Sequence, residues 1–130
     1  MASSSKVVDW QKLREFADVD LERSFVLSWN YEAGALLVDI DLLLLPEHPF
    51  YEKPRPAEKV CIRPALIEFP FCQAVITGKG DDDIAAIVAS LENGAITGLR
   101  LLADGYYEIS GVFGSVEIEA ERPLLRLKSP

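Results

Sequence analysis

The chain has 130 residues, 49% of them apolar and 26% charged, with a net charge of −8. That is about one domain, able to bury roughly two thirds of its unfolded surface in a single core, and its composition excludes the disordered and low-complexity classes. Its longest apolar run, 35–45, is broken by Asp39 and Asp41 and falls far short of the roughly 20 residues of a membrane span. The polar start at 1–6 has no signal-peptide core, so a cytoplasmic protein with a flexible stretch at 1–8 is expected.

Trp10, Leu13, Phe16 and Ala17 fall at helical spacing behind Asp9 as an N-cap, which predicts a short helix over 10–16. From 21 to 29 the period changes to two, with Leu21, Phe25, Leu27 and Trp29 on one face of a strand, although Arg23 and Val26 interrupt the alternation. A five-residue loop at 30–34 leads into a second strand, with Leu36, Val38, Ile40, Leu42 and Leu44 facing one way. Pro46, Pro49, Pro54 and Pro56 make 46–58 a loop, because proline has no proton to donate to a sheet ladder.

A strand over 60–69 carries Pro64, which implies an edge or a bulge there, and a shorter strand lies within 71–77. Asp81, Asp82 and Asp83 precede Ile84, Ile87, Val88 and Leu91, the spacing of a helix, with Asn93 and Gly94 placed to cap its end. The remainder reads as a meander over 95–103, 106–112 and 115–121, with Asp104-Gly105 as a two-residue turn. A last short strand is expected near 124–127. Val116, Ile118 and Ala120 alternate with Glu117, Glu119 and Glu121, so one face of the meander should be solvated and acidic.

The charge is concentrated in that region. Asp81, Asp82, Asp83, Glu92, Asp104, Glu108, Glu117, Glu119 and Glu121 face only Arg100, nine acids to one base, which equals the whole net charge. A surface of this sign repels phosphate backbones and disfavours nucleic acid, whereas it suits a basic protein.

Candidate chemistry is sparse. His48 is the sole histidine, and no Gly-x-Ser-x-Gly elbow is present. Cys61 and Cys72 lack Cys-x-x-Cys spacing and read as buried reduced thiols. Asp39 with Asp41, and the run Asp81 to Asp83, are carboxylate clusters whose simplest roles are a solvated strand face and a helix start. They match no calcium loop, and one histidine with two cysteines makes a poor zinc set. Gly78-Lys79-Gly80 is too short for a phosphate-binding loop. No catalytic residue, metal or cofactor is assigned.

The run Asp20-Leu21-Glu22-Arg23-Ser24-Phe25-Val26-Leu27-Ser28, with 111–119 near the end, resembles small uncharacterised bacterial β-domains, some of them immunity proteins of polymorphic toxin systems. Where such chains carry a histidine and a second aspartate early in the first strand, this one has Glu22 and Arg23. The resemblance implies a fold more than a function. The combined reading is a mainly β domain spanning 1–130, an antiparallel β-sandwich or half-open barrel with one or two short helices, α+β being the alternative. Its expected role is a non-enzymatic protein-binding module, with a homodimeric assembly protein or a hydrolase using Cys61, Cys72 or His48 as competitors. The binding surface is expected on the loop 46–58, through His48, Phe50, Tyr51 and Arg55, because restrained loops and exposed aromatics suit recognition.

Overall fold

Alternation of period two dominates the chain, and in a computed structural model describing residues 7–53, 60–77 and 83–128 it forms an antiparallel sheet of nine strands. These are β1 (Val8–Asp9), β2 (Val19–Glu32), β3 (Ala35–Leu44), β4 (Cys61–Phe69), β5 (Ala74–Ile76), β6 (Gly94–Ala103), β7 (Tyr106–Gly111), β8 (Gly114–Glu119) and β9 (Leu124–Leu127). One helix, α1 (Ile84–Ser90), lies between β5 and β6. The order across the sheet is β5-β8-β7-β6-β2-β3-β4-β9, with β1 paired to β6, and the sheet does not close into a barrel.

The sheet instead folds over on itself. Phe69 on β4 and Tyr107 on β7, with three strands between them in the sheet order, bring their rings to 5.7 Å across the interior. Leu36, Val38, Ile40, Leu42 and Leu44 point into that interior as their spacing predicts, opposite Ile109, Val116 and Ile118. Each such side chain contributes about 1.5–3 kcal/mol on leaving water.

The first predicted helix is absent, and the reason lies in its spacing. Trp10, Leu13 and Phe16 recur at three residues, the period of a 3-10 turn, and two such turns (Trp10–Lys12 and Arg14–Phe16) bury all three while Ala17 stays exposed. Asp9 makes no side-chain cap. In α1 the cap is real, since Asp83 accepts the Ala86 N–H at 2.8 Å. The far end departs from expectation. Leu91 is already extended at ψ 138°, so the helix stops before Gly94, which opens β6.

The face assigned to β2 is also corrected. Phe25 and Leu27 are 51% and 45% exposed, while Ser24 and Val26 are buried. Register slips between Asp20 and Phe25, and again between Val26 and Ser28, insert extra residues and reverse the alternation. Asp20 shapes the first bulge by accepting the Glu22 N–H at 3.1 Å and holding Arg23 at 2.8 Å. Much of the run that carries the family resemblance is therefore explained by a bulge. The loop to β3 is shorter than predicted: Ala33 and Gly34, at φ 51° and 80°, form a two-residue turn with Glu32 opposite Ala35.

Pro64 sits in unbroken register with β3, opposite Asp41. Its carbonyl accepts the Lys128 N–H, so its ring nitrogen also faces the β9 side, where the paired stretch ends at Ala65 and Leu127. β4 is an inner strand between β3 and β9, so neither the edge position nor the bulge expected from the proline is found, and the ring is tolerated where the paired stretch of β9 ends. At the tip of the meander, Gly111 is required by crowding, because a Cβ there would collide with the Ala95 carbonyl and the Phe113 ring.

Ser24 sits 1% exposed inside the first bulge, donates to the Asp20 carbonyl at 2.8 Å and accepts the Leu43 N–H at 3.1 Å. Ser24→Ala is expected to cost about 1–3 kcal/mol by orphaning that buried N–H. Urea unfolding measures it, and a loss below about 0.5 kcal/mol would show that the hydroxyl is dispensable.

Candidate functional site

The described loop residues singled out from sequence differ in exposure. Phe50 is 61% exposed, but Tyr51 is half-buried and packs on the core. His48 Nδ1 accepts the Phe50 N–H at 3.0 Å, and the two rings lie 5.9 Å apart. Glu52 binds Arg63 of β4 at 3.0 Å and ties the loop down. Arg55 lies outside the described residues. Of the three described residues, Phe50, with the half-buried His48 beside it, keeps the exposure expected of a contact residue.

The other nucleophile candidates are poorly placed for chemistry. Cys61 and Cys72 are free thiols, both buried, and burial pushes the Cys72 thiol up, leaving little thiolate at neutral pH. Among the described residues no hydrogen bond joins His48 to either sulfur, and no group of three or more His, Cys, Asp or Glu is arranged to hold a metal. Asp81 and Asp82 lie outside the described residues. Asp39 and Asp41 share a strand face as expected, but Asp39 is occupied: Lys128 pairs with it and Ser28 donates to it at 2.9 Å. Burial pulls the Asp39 carboxyl upward, and the hydrogen bonds from Lys128, Ser28 and Asn30 together outweigh that and hold it below its usual range. The larger clefts offer little more. One of about 500 Å³, between β5 and α1, has Tyr31 and Asp83 as its titratable groups, and Asp83 is already spent on the helix cap.

The outer face of the meander is different. Antiparallel register puts Ile76, Glu117, Glu108, Arg100 and Asp9 in one row across β5, β8, β7, β6 and β1, and Ala74, Glu119 and Tyr106 in the next. Glu117 stands directly opposite Glu108, a like-charge pair that costs stability unless relieved. Relief comes on one side only. Ser115 donates to Glu108 at 2.6 Å and the Arg100 Nε at 3.0 Å, which hold its carboxyl below the usual range. With Arg100 thus used, Asp104, Glu117, Glu119 and Glu121 have no cation partner among the described residues. Two exposed apolar side chains, Ile76 (50%) and Tyr106 (44%), lie among them.

At the end of this face Phe71 is 72% exposed. It follows Pro70 in the turn between β4 and β5 and adopts φ 52°, a left-handed conformation that bulky residues rarely hold. Phe71, Asp104, Tyr106, Glu119 and Glu121 line a notch of about 160 Å³. Sequence reading found the acids and missed both aromatics; the only local signal was their position beside Pro70 and beside the Asp104-Gly105 turn.

The split within the loop is open to measurement. Tyr51→Ala is expected to lower stability by about 2 kcal/mol, less than a fully buried aromatic would, whereas Phe50→Ala should stay within about 0.5 kcal/mol. Equal losses in thermal unfolding would mean that Phe50 too is part of the core. Comparison with family models, with curated proteins and with solved structures found no match in any of the three.

Proposed function

We propose that this chain is a non-enzymatic protein-binding module whose partner is basic and docks on the outer face of β5–β8. The observation that carries this reading is the one-sided charge of that face. Four carboxylates stand without a cation partner among the described residues, beside exposed Ile76 and Tyr106, and selection for folding alone would favour interspersed signs, since unpaired like charges repel. An acidic field raises the encounter rate with a basic partner and repels acidic competitors, while the apolar side chains supply contact area once the partner has arrived. If the resemblance to immunity proteins holds, the partner is a basic toxin domain. The loop around His48 and Phe50 then serves as a secondary contact, being tethered at the far end of β4.

A second reading, self-association, is favoured by the exposed apolar side chains of Phe25 and Leu27 on β2 and Ile62 on β4, since apolar side chains left in water favour interfaces. The two readings separate by sedimentation, where the first expects a monomer at every concentration and the second a concentration-dependent dimer. Glu117→Lys combined with Glu119→Lys is expected to abolish partner capture without lowering the melting temperature. Captured partner should also be released as salt rises from about 0.1 M to 1 M, where the screening length falls from about 10 Å to 3 Å. Capture indifferent to both salt and charge reversal would sink the proposal.

A further inference from the structure

We infer that the notch between Phe71 and Tyr106 seats one arginine or lysine side chain of a basic protein segment, an inference that rests on the protein-binding reading above and names its anchor point. Size is the first argument. At about 160 Å³ the notch is well below the roughly 300–1,000 Å³ of small-molecule sites, so it suits a single side chain and not a metabolite.

Charge is the second. Asp104, Glu119 and Glu121 line the notch without a cation partner among the described residues, and Arg122, the next residue along, is engaged with Glu15 through both Nε and Nη2. A cation entering the notch meets carboxylates at the rim and two aromatic rings, whose faces attract positive charge within about 6 Å. Guanidinium fits such a setting better than ammonium, because it stacks on a ring while donating to carboxylates in its own plane.

The third argument is that the rings are presented by fixed backbone. The residues around Phe71 are pinned: the Cys72 N–H donates to the Gly34 carbonyl at 2.7 Å, Gln73 to Glu119 at 2.8 Å, and Glu121 to Pro70 at 2.9 Å. Tyr106 opens β7 directly after the Gly105 turn, opposite Glu119. A side chain held this way loses little freedom when a partner docks, which favours it as an anchor.

The test is an amide chemical-shift titration of the ¹⁵N-labelled protein with the capped tripeptide acetyl-Gly-Arg-Gly-amide and with its citrulline counterpart, which keeps the shape and removes the charge. The arginine peptide is expected to shift the amides at 71–73, 104–106 and 119–121, and the citrulline peptide to shift none of them. Phe71→Ala and Tyr106→Ala should each weaken binding about threefold to thirtyfold, and their own spectra report whether the fold is kept. Glu119→Gln with Glu121→Gln should weaken it as well. Shifts centred on Glu117 and Glu108 and unaffected by Phe71→Ala would overturn the notch while leaving the acidic face as a docking surface. An absence of shifts with the arginine peptide would likewise overturn it, and if a pentalysine peptide also left the spectrum unchanged, the proposed basic partner would fall with it.

Discussion

Where β2 bulges away from β3, the Leu43 N–H loses its ladder acceptor, and the Ser24 hydroxyl takes that place deep in the protein. Much of the architecture depends on this substitution. A sheet that must cover its own apolar face has to bend sharply, and bulges supply bend and twist at the cost of unpaired backbone groups. Here β2 pairs β3 along one edge and reaches β6 through Phe25 and Val26, immediately after the bulge, so the strand that is bent is also the strand that joins the two halves. Among the described residues no buried side-chain polar atom is left without a partner. For the one backbone donor followed here, the Leu43 N–H, the Ser24 hydroxyl supplies the acceptor that the bulge takes away.

How much of this was legible depends on whether a segment obeys one period throughout. β3 and β8 do, and the residues the alternation names (Leu36 to Leu44 in steps of two, Val116 and Ile118) are all buried, with Leu43 on the other face of β3 buried as well. In β2 the inserted residues leave no mark in composition. Arg23 and Val26 looked like local exceptions when they were signs of a slipped register. In 10–16 a period of three was read as 3.6, a difference that only Ala17 decides over so short a stretch. The helix at 84–90 was recoverable because spacing and cap agree.

The candidate site divides in the same way. Charge is additive along a sequence, so the acidic bias of 81–121 could be counted before any fold was known. Exposure of an aromatic is not. Phe50 and Tyr51 are neighbours with the same loop chemistry, yet one faces solvent and the other the core. Phe71 sits at a positive φ that no sequence rule assigns to phenylalanine, and it lines one notch with Tyr106 where the Glu121–Pro70 hydrogen bond joins the chain after β8 to the end of β4.

Pro64 bears on a different matter, the conduct of the chain when crowded among copies of itself. Beyond the four-residue reach of β9, no strand among the described residues pairs with the outer side of β4 at Cys61–Arg63, where Ile62 is exposed. An open edge beside an apolar side chain is a template for runaway strand addition. The Pro64 carbonyl is already taken by the Lys128 N–H and its ring nitrogen has no proton to offer, so a strand adding at Cys61–Arg63 finds no donor at Pro64 through which to extend its ladder. Pro64, which stands just past the last of the four β9 pairs, thus works against runaway strand addition at this side of the sheet.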